Sequence, residues 1–444
     1  MRPESDVADG ADRSGLRSGL RSALSLRNRF SAEVLWNLAS VGVLGVSGIL
    51  MNAMIARWRG AEALGVFNQV FAIYIILSQI AVGGVHLSVL KQLSYHSDER
   101  DLCGRITTAG LLLGAILSAI VCAAAYLFSD SVGTFLSSTG VATGLALAAP
   151  GLIFFSLNKI LLSALNGLRF MRAFAVLQAA RFVFILASIT GILAAGWPHA
   201  WLALSLTTSE LALFLITIIY VRWFVVPLRR PASGERWYRE HASFGLRGFM
   251  SGLLSEMNTR VDVLMLGYFT NDAAVGIYSF AAILAEGFCQ IPIVVRRNLD
   301  PIFGRAFAEH DRVRIVEAAR KVKRVMYALM TAVTLVAVAG YPLLLKLCGA
   351  DHGMGASWLV FAILMAGILL NSGYRPFLGI FLQGGMPGVY TGLIFIAVGG
   401  NFVLNLALIP PLGIYGAAVA TATVFVIEAV LIVVFARRLF AVSL

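Results

Sequence analysis

Runs of about 20 apolar residues recur along the whole chain, and they limit its possible folds more than any other feature. A helix of about that length crosses the hydrocarbon core of a bilayer, because each residue adds about 1.5 Å to its length. Only 13% of the 444 residues are charged, whereas soluble domains average roughly 25%. The sequence therefore predicts an all-α integral membrane protein with no sizeable soluble domain.

About twelve such runs are predicted to span the membrane. They lie near residues 33–56, 65–90, 106–128, 141–165, 173–195, 200–226, 244–269, 275–297, 325–347, 356–382, 387–410 and 413–436. The distribution of basic residues tests this arrangement. If the spans alternate from a cytoplasmic amino terminus, only Arg57, Arg59 and Lys346 of the 35 Lys and Arg residues lie in outer segments. Apart from those at membrane depth, all the others lie inside, as is usual for cytoplasmic loops.

Two similar halves are predicted from an internal repeat. The segment AEALGVF at 61–67 resembles DAAVGIY at 272–278, and each opens the second span of its half. The sixth span of each half carries one central carboxylate, Glu210 or Glu428. Because six spans per half is an even number, both halves start on the same side of the membrane and the repeat is parallel. The fold class is thus predicted to be two parallel six-helix lobes with a central cleft, the arrangement expected of a transporter.

The segments outside the lobes carry no recognisable catalytic or targeting motif. The predicted parts are a disordered basic tail at 1–30, a first lobe at 31–226, a cytoplasmic linker at 227–243 and a second lobe at 244–438. The tail lacks the apolar stretch of a signal peptide. The net charge of +12 follows from the inner loops, and no basic patch with interleaved aromatic residues indicates a nucleic-acid partner. The cysteine spacing indicates neither a metal site nor a disulfide framework.

Three segments resemble polysaccharide transporters of the Wzx type, the O-antigen flippases. They are VSGILMNAMIARWRGAEALGVFNQ at 46–69, FGLRGFMSGLLSEMNTRVDVLMLGYFTNDAAVGIYSFAAILAEGFCQIP at 244–292 and PPLGIYGAAVATATVF at 410–425. The wider MOP superfamily of this family also contains MATE drug antiporters and lipid II flippases. Antiporters of the bacterial MATE type often carry an acidic residue in the first span, and residues 34–56 contain none.

The resemblance implies a MATE-like fold and a specific cargo. That cargo is an undecaprenyl-diphosphate-linked oligosaccharide, a repeat unit of O-antigen or exopolysaccharide, moved from the cytoplasmic to the periplasmic leaflet of a bacterial inner membrane. It implies a monomer with both termini in the cytoplasm, in contact with membrane lipids and working beside a polysaccharide polymerase and chain-length proteins. No cofactor is expected, but transport can draw on an H⁺ or Na⁺ gradient or on the membrane potential.

The loops argue against an enzyme. Membrane enzymes of polysaccharide assembly generally carry a large outer loop with acidic or histidine catalytic residues, whereas the longest outer loop here is near 129–140. On the inner side, residues 298–324 can form an amphipathic helix with basic flanks, which would lie on anionic lipid. We therefore expect a transporter without catalytic residues.

The seventh span has the richest set of polar side chains at membrane depth. Glu256 and Arg260 are four residues apart, as are Asn258 and Asp262, so each pair is expected to share a helix face. In a functional interpretation, Arg260 binds the diphosphate of the cargo, and Asp262 or Glu256 binds a proton or Na⁺. In a structural interpretation, Glu256 and Arg260 neutralise each other and fix the helix to its neighbour.

Other membrane-depth residues extend this candidate site, because a charge in the bilayer usually faces a cavity or a partner. The candidates for the cargo cavity are Arg260, Arg181, Arg375, Lys159, Asn258 and Asn371. The candidates for ion coupling are Asp262, Glu256, Glu210, Glu428 and Glu286. Each of these glutamates could instead be the buried partner of one of the cations.

Two functions from different classes follow. The first is a flippase for lipid-linked oligosaccharides, which needs an electropositive cleft for an anionic cargo. The second is a cation-coupled multidrug antiporter of the MATE type, which needs unpaired carboxylates and few cations in its cavity. The four cations at membrane depth favour the flippase.

Overall fold

The computed structural model describes residues 8–231, 235–309, 311–349 and 351–442, with side chains except at 8–35, 37–39, 41, 251, 255, 258, 351 and 352. The described residues form helices and no strand. In the first half the helices are α1 (Ala8–Val82), α2 (Val85–Tyr95), α3 (Arg100–Leu127), α4 (Ser129–Phe135), α5 (Thr139–Ala148), α6 (Gly151–Gly167), α7 (Met171–Ala194) and α8 (Leu204–Tyr220). A 3₁₀ turn at His199–Ala203 precedes α8, and a π turn at Val221–Val225 follows it.

The described part of the second half is also helical. Its helices are α9 (Trp237–Asn258), α10 (Val261–Phe269), α11 (Asp272–Ala308), α12 (Arg312–Leu347), α13 (Asp351–Met354), α14 (Ser357–Ser372), α15 (Ile380–Gln383), α16 (Pro387–Leu412) and α17 (Ile414–Phe440). A 3₁₀ turn at Arg375–Phe377 lies between α14 and α15. The prediction of an all-α membrane protein is confirmed.

The described chain has 8 helical segments that are long and apolar enough to cross a membrane, or 10 if each of two bent pairs is one span. The bent pairs are α5 with α6 and α14 with the segment that ends at Gln383. One of the 8 segments, Gly42–Val82, has 41 residues and consists of two helices joined at Gly60, where φ is 80°. The α9–α10 pair occupies the predicted seventh span. The number of about twelve spans stays a prediction.

Two local expectations differ from the structure. Helix α1 begins at Ala8, whereas we expected a disordered tail over 1–30; residues 1–7 of that tail lie outside the described part. Residues 298–324 do not form a separate surface helix. They are the adjoining ends of α11 and α12, which have 37 and 36 residues and are longer than a bilayer core of about 30 Å requires. Their apolar side chains instead pack on Phe377, Phe381 and Phe440 of the same lobe.

The hydrophobic cores show how the two lobes meet. One cluster contains residues of both lobes, such as Leu64 and Phe67 in the first and Val275 and Phe280 in the second. A second cluster at the inner end contains side chains of the first lobe and of the linker end at Trp237, and a third contains only second-lobe side chains. Burial of apolar surface in the cluster shared by both lobes holds them together.

The two halves of the sequence repeat meet at this shared core. Gly65 and Gly276 hold the same position in the repeated motif, and their helices cross there. A methyl group on Gly65 would overlap the carbonyl oxygen of Asp272, and one on Gly276 would overlap that of Ala61. Glycine permits this backbone approach because it has no Cβ. The carboxylate of Asp272 also accepts hydrogen bonds of 2.6 Å from Gln69 Nε2 and from Ser138 Oγ.

Candidate functional site

Arg181 lies inside the first lobe and is neutralised there. Its Nε is 2.6 Å from Glu210 Oε1, and its guanidinium lies 4.6 Å from the centre of the Phe155 ring. Asn158 Nδ2 donates to Glu210 Oε2 at 2.8 Å and to the Glu210 carbonyl at 2.9 Å. A buried ion pair is tolerated when additional hydrogen bonds satisfy the carboxylate. The geometry agrees with the interpretation of Glu210 as a buried partner of a cation.

Arg375 has the same type of environment in the second lobe. Its Nη1 lies 2.7 Å from Glu428 Oε2, to which Asn371 Nδ2 also donates at 2.6 Å. Arg375 differs from Arg181 in its surroundings, since it also lines a cavity inside its lobe. The structure therefore unites Arg375, Asn371 and Glu428 in one group, although the sequence analysis had assigned the first two to the cargo and Glu428 to coupling.

Lys159 lies between the lobes. Its Nζ donates to Gln79 Oε1 at 2.8 Å and lies 5.9 Å from the centre of the Phe155 ring. Lys159 and Gln79 line a cavity of about 240 Å³. The opposite wall of this cavity is helix α9, with Gly252 and Glu256. Among the ion pairs of the described residues, none involves Lys159 or Glu256. The cavity thus brings one cation of the first lobe and one carboxylate of the second lobe to the lobe interface.

Arg260 also faces the other lobe. The helix is interrupted at Thr259 and Arg260, between α9 and α10. The spacing of four residues therefore does not place Glu256 and Arg260 on one continuous helix face, and no ion pair joins them in the described part of the chain. The Arg260 guanidinium instead lies 5.1 Å from the centre of the Phe71 ring of the first lobe, a cation–π distance. The side chain of Asn258, a further cargo candidate, lies outside the described residues.

Asp262 is buried in the second lobe within a set of uncharged polar groups. Its Oδ2 accepts hydrogen bonds of 2.7 Å from Tyr278 Oη and Thr421 Oγ1, and its Oδ1 accepts one of 3.0 Å from Asn405 Nδ2. Asn405 also donates to Asn401 Oδ1. None of the described ion pairs involves Asp262. A buried carboxylate without a cationic partner is costly, so this group is suited to bind a proton or a small cation.

A cavity of about 210 Å³ opens beside Asp262. Its other charged or amide side chains are those of Glu286, Gln290, Arg375 and Asn401, and Phe425 contributes apolar wall. The cavity therefore combines two carboxylates with one cation. Glu286, which the sequence analysis proposed for coupling, faces the same space as Asp262.

Sequence reasoning missed several members of these groups. Tyr278, Thr421, Asn401 and Asn405 surround Asp262, and Gln79 holds Lys159, yet none was selected from the sequence. A signal was present for the asparagines, because Asn401 and Asn405 are four residues apart in an otherwise apolar run and so share a helix face. Tyr278 and Thr421 gave no such signal, since both residue types are common in membrane helices.

Comparison with known proteins now identifies the family. Residues 31–287 match the model of the family described as polysaccharide biosynthesis protein. The chain belongs to this family. No curated protein matches this chain significantly.

Solved structures of transporters share the fold of this polysaccharide biosynthesis protein. An inward-facing multidrug-resistance MATE transporter of the MOP superfamily has a TM-score of 0.73 at 14% identity, over 89% of this chain and 94% of that chain. The lipid II flippase MurJ in an inward closed conformation has a TM-score of 0.72 at 12% identity, over 91% and 87%. A MOP transporter from Pyrococcus furiosus, described as having a binding pocket of reverse polarity, has a TM-score of 0.58 at 13% identity, over 92% and 94%.

These matches confirm the MATE-like fold. The chain is a multi-pass membrane protein of the polysaccharide biosynthesis family. Two of its structural neighbours are described as a multidrug-resistance transporter and a lipid II flippase.

Proposed function

We propose that the protein translocates an undecaprenyl-diphosphate-linked oligosaccharide across the cytoplasmic membrane by alternating access between its two lobes. One observation carries the proposal: Lys159 and Arg260 lie at the lobe interface and form no ion pair with a described carboxylate. Arg181 and Arg375, in contrast, are each paired inside a lobe. An anionic cargo offers the interface cations a partner, because phosphate oxygens accept charge-assisted hydrogen bonds from Lys and Arg.

The site supports ion coupling through Asp262. Its carboxylate lies among hydroxyl and amide groups, and oxygen ligands are those that hard cations take. An amide can turn its oxygen toward a cation, since its orientation follows the hydrogen-bond network. We infer that Asp262 binds H⁺ or Na⁺, with Glu286 on the same cavity.

A MATE-type antiporter for organic cations is the second candidate. The observation that favours it is the second-lobe cavity, where Asp262 and Glu286 face one cation, Arg375. Such a cavity can hold a small cationic solute, whereas the interface with Lys159 and Arg260 cannot do so readily. The two candidates therefore predict different essential residues.

Flipping of a fluorescent undecaprenyl-diphosphate oligosaccharide in proteoliposomes tests the proposal. Lys159→Gln and Arg260→Gln each remove one charge-assisted hydrogen bond, worth about 1.5–3 kcal/mol, so the rate should fall roughly tenfold or more. Lys346→Gln is the matched control, because Lys346 is an exposed cation near the outer end of α12. Absence of flipping by the wild type, together with gradient-driven efflux of an organic cation, would assign the protein to the antiporters.

A further inference from the structure

The two ends of helix α9 contact different lobes. It continues into α10 of the second lobe, where Asp262 is bound to Tyr278 and Asn405. At its inner end it packs on α2 and α3 of the first lobe, where Glu240 accepts a hydrogen bond of 3.2 Å from Gln92 Nε2. The interruption at Thr259 and Arg260 separates the two regions and provides a place to bend.

His241 fixes the inner end of α9 to the first lobe. Its side chain is buried, and its two ring nitrogens contact two different helices. Nδ1 lies 2.9 Å from Ser88 Oγ on α2, and Nε2 lies 3.1 Å from the carbonyl oxygen of Ile106 on α3. One imidazole thus satisfies polar groups on both helices and links them to α9.

The backbones of α9 and of the break between α1 and α2 touch beside this histidine. Gly83 and Gly84 have φ values of 52° and 71°, which favour glycine. A methyl group on Gly84 would overlap the backbone of Gly245, and one on Gly245 would overlap that of Gly83. The contact therefore needs glycine on both sides.

Helix α9 covers the cavity that contains Lys159. The floor of this cavity is formed by Gln79, His86 and Lys159 of the first lobe, and its cover by Gly248, Gly252 and Glu256 of α9. While the inner end of α9 stays on α2 and α3, the space between these walls is about 240 Å³. The head group of a lipid-linked oligosaccharide exceeds that volume.

We propose that α9 is a lid over the Lys159 cavity, with a hinge at Thr259–Arg260 and with His241 as its latch on the first lobe. Opening of the lid admits the anionic head group of the cargo to Lys159, an inference that rests on the proposed function. The lid and latch themselves do not depend on the identity of the cargo.

A cysteine reporter inside the cavity tests the lid without any cargo. Gly252→Cys places a thiol in the cavity wall, where a Cβ meets only Gln79 Oε1 at 3.6 Å; the native cysteines are replaced by alanine in this background. We measure the rate at which a charged, membrane-impermeant thiosulfonate modifies this thiol in detergent-solubilised full-length protein. His241→Phe removes both hydrogen bonds and keeps the bulk, so modification should become about tenfold faster.

His199→Phe, in the first lobe far along the chain from α9, is the matched control and should leave the modification rate unchanged. An unchanged rate in His241→Phe would overturn the latch. If His241→Phe fails to fold, Ser88→Ala removes one of the two bonds and should accelerate modification to a smaller extent.

A disulfide tests whether the lid must move during transport. A Cβ on Gly248 would lie 2.8 Å from Leu87 Cδ1, so cysteines at these two positions face each other, and formation of the disulfide is verified by gel mobility before the assay. Flipping by the Leu87→Cys/Gly248→Cys protein should stop on oxidation and return on reduction, whereas each single-cysteine variant should be insensitive. Undiminished flipping by the oxidised protein would show that the contact is permanent and would overturn the lid. Failure of the reduced protein and of the wild type to flip would instead contradict the proposed function, and the reporter result would still decide on the lid.

Discussion

Glu210 and Glu428 hold equivalent places in the two lobes, and each accepts the same pair of partners. Glu210 binds Asn158 and Arg181, and Glu428 binds Asn371 and Arg375. The asparagines come from the fourth predicted span of each lobe and the glutamates from the sixth, as the parallel repeat requires. The arginines come from different places, since Arg181 lies on α7 and Arg375 follows α14. The carboxylate and its amide donor are therefore common to both lobes. The arginine that neutralises the carboxylate comes from a different place in each lobe.

We expect Glu428→Ala to destabilise the protein, by less than the roughly 3–5 kcal/mol of a fully buried ion pair, because Arg375, which is partly buried and lines a cavity, would lose its carboxylate. Thermal unfolding in detergent measures this effect. The double variant Glu428→Leu/Arg375→Met should recover most of the loss, since apolar side chains of similar volume replace a buried pair at little cost. Equal unfolding temperatures for wild type and Glu428→Ala would show that the pair contributes little.

Gly276→Ala should block the approach of the lobes at the outer end. Its Cβ would overlap the backbone carbonyl of Ala61, so the lobes must separate there and transport should fall strongly. Outer accessibility of a single-cysteine reporter at Ser138 should rise. Gly287→Ala is the control on the same helix, since a Cβ there has no neighbour within 4 Å. Normal flipping by Gly276→Ala would mean that this contact is not part of the transport cycle.

Asp262→Asn should uncouple transport from the driving ion. The amide keeps the size of the side chain and most hydrogen bonds to Tyr278 and Thr421, but it has no charge to hold H⁺ or Na⁺. Flipping with and without imposed Na⁺ and pH gradients measures the change, and the wild type should respond to one gradient while the variant responds to neither. Glu286→Gln separates the two carboxylates of the cavity. A variant that keeps the full ion dependence of the wild type would remove Asp262 from coupling.

His241 should make stability depend on pH. Burial lowers the pKa of His241 from its ordinary value of 6.5, against a smaller opposing effect of the hydrogen bond to Ile106 and of Glu240. On the helices that pack against α9, Lys91 lies over the Phe244 ring and Arg105 is paired with Glu235. Because the unfolded chain binds a proton near pH 6.5 that the folded protein does not bind, the contribution is complete above that pH and is lost as pH falls below it.

Unfolding temperatures between pH 8 and pH 5 check this expectation. The wild type should lose stability below about pH 6.5, and His241→Gln should be less stable at pH 8 but should show a flatter profile. Parallel profiles of the two proteins would show that His241 does not titrate on unfolding.

The sequence predicted the polar residues of the site better than their partners. Glu210, Glu428, Arg181 and Arg375 were selected because each is too costly in a bilayer without a partner or a cavity. Which cation meets which carboxylate was left open, since a pairing across helices depends on packing rather than on spacing. The ion pair that the structural interpretation drew from spacing, Glu256 with Arg260, is absent from the described residues, because the helix is interrupted between them.

The sequence by itself determined the class of the molecule. Apolar runs of membrane length, basic residues on one side and a repeated motif each follow from local composition, and together they require a helical membrane protein of two lobes. Only the tertiary structure decided which charges are neutralised inside a lobe and which, like Lys159 and Arg260, face the other lobe. It also decided that Gly65 meets its repeat partner Gly276 and that α9 rests on the first lobe. The physical reason is that these contacts join residues remote in sequence, and their geometry follows from helix packing rather than from local pattern.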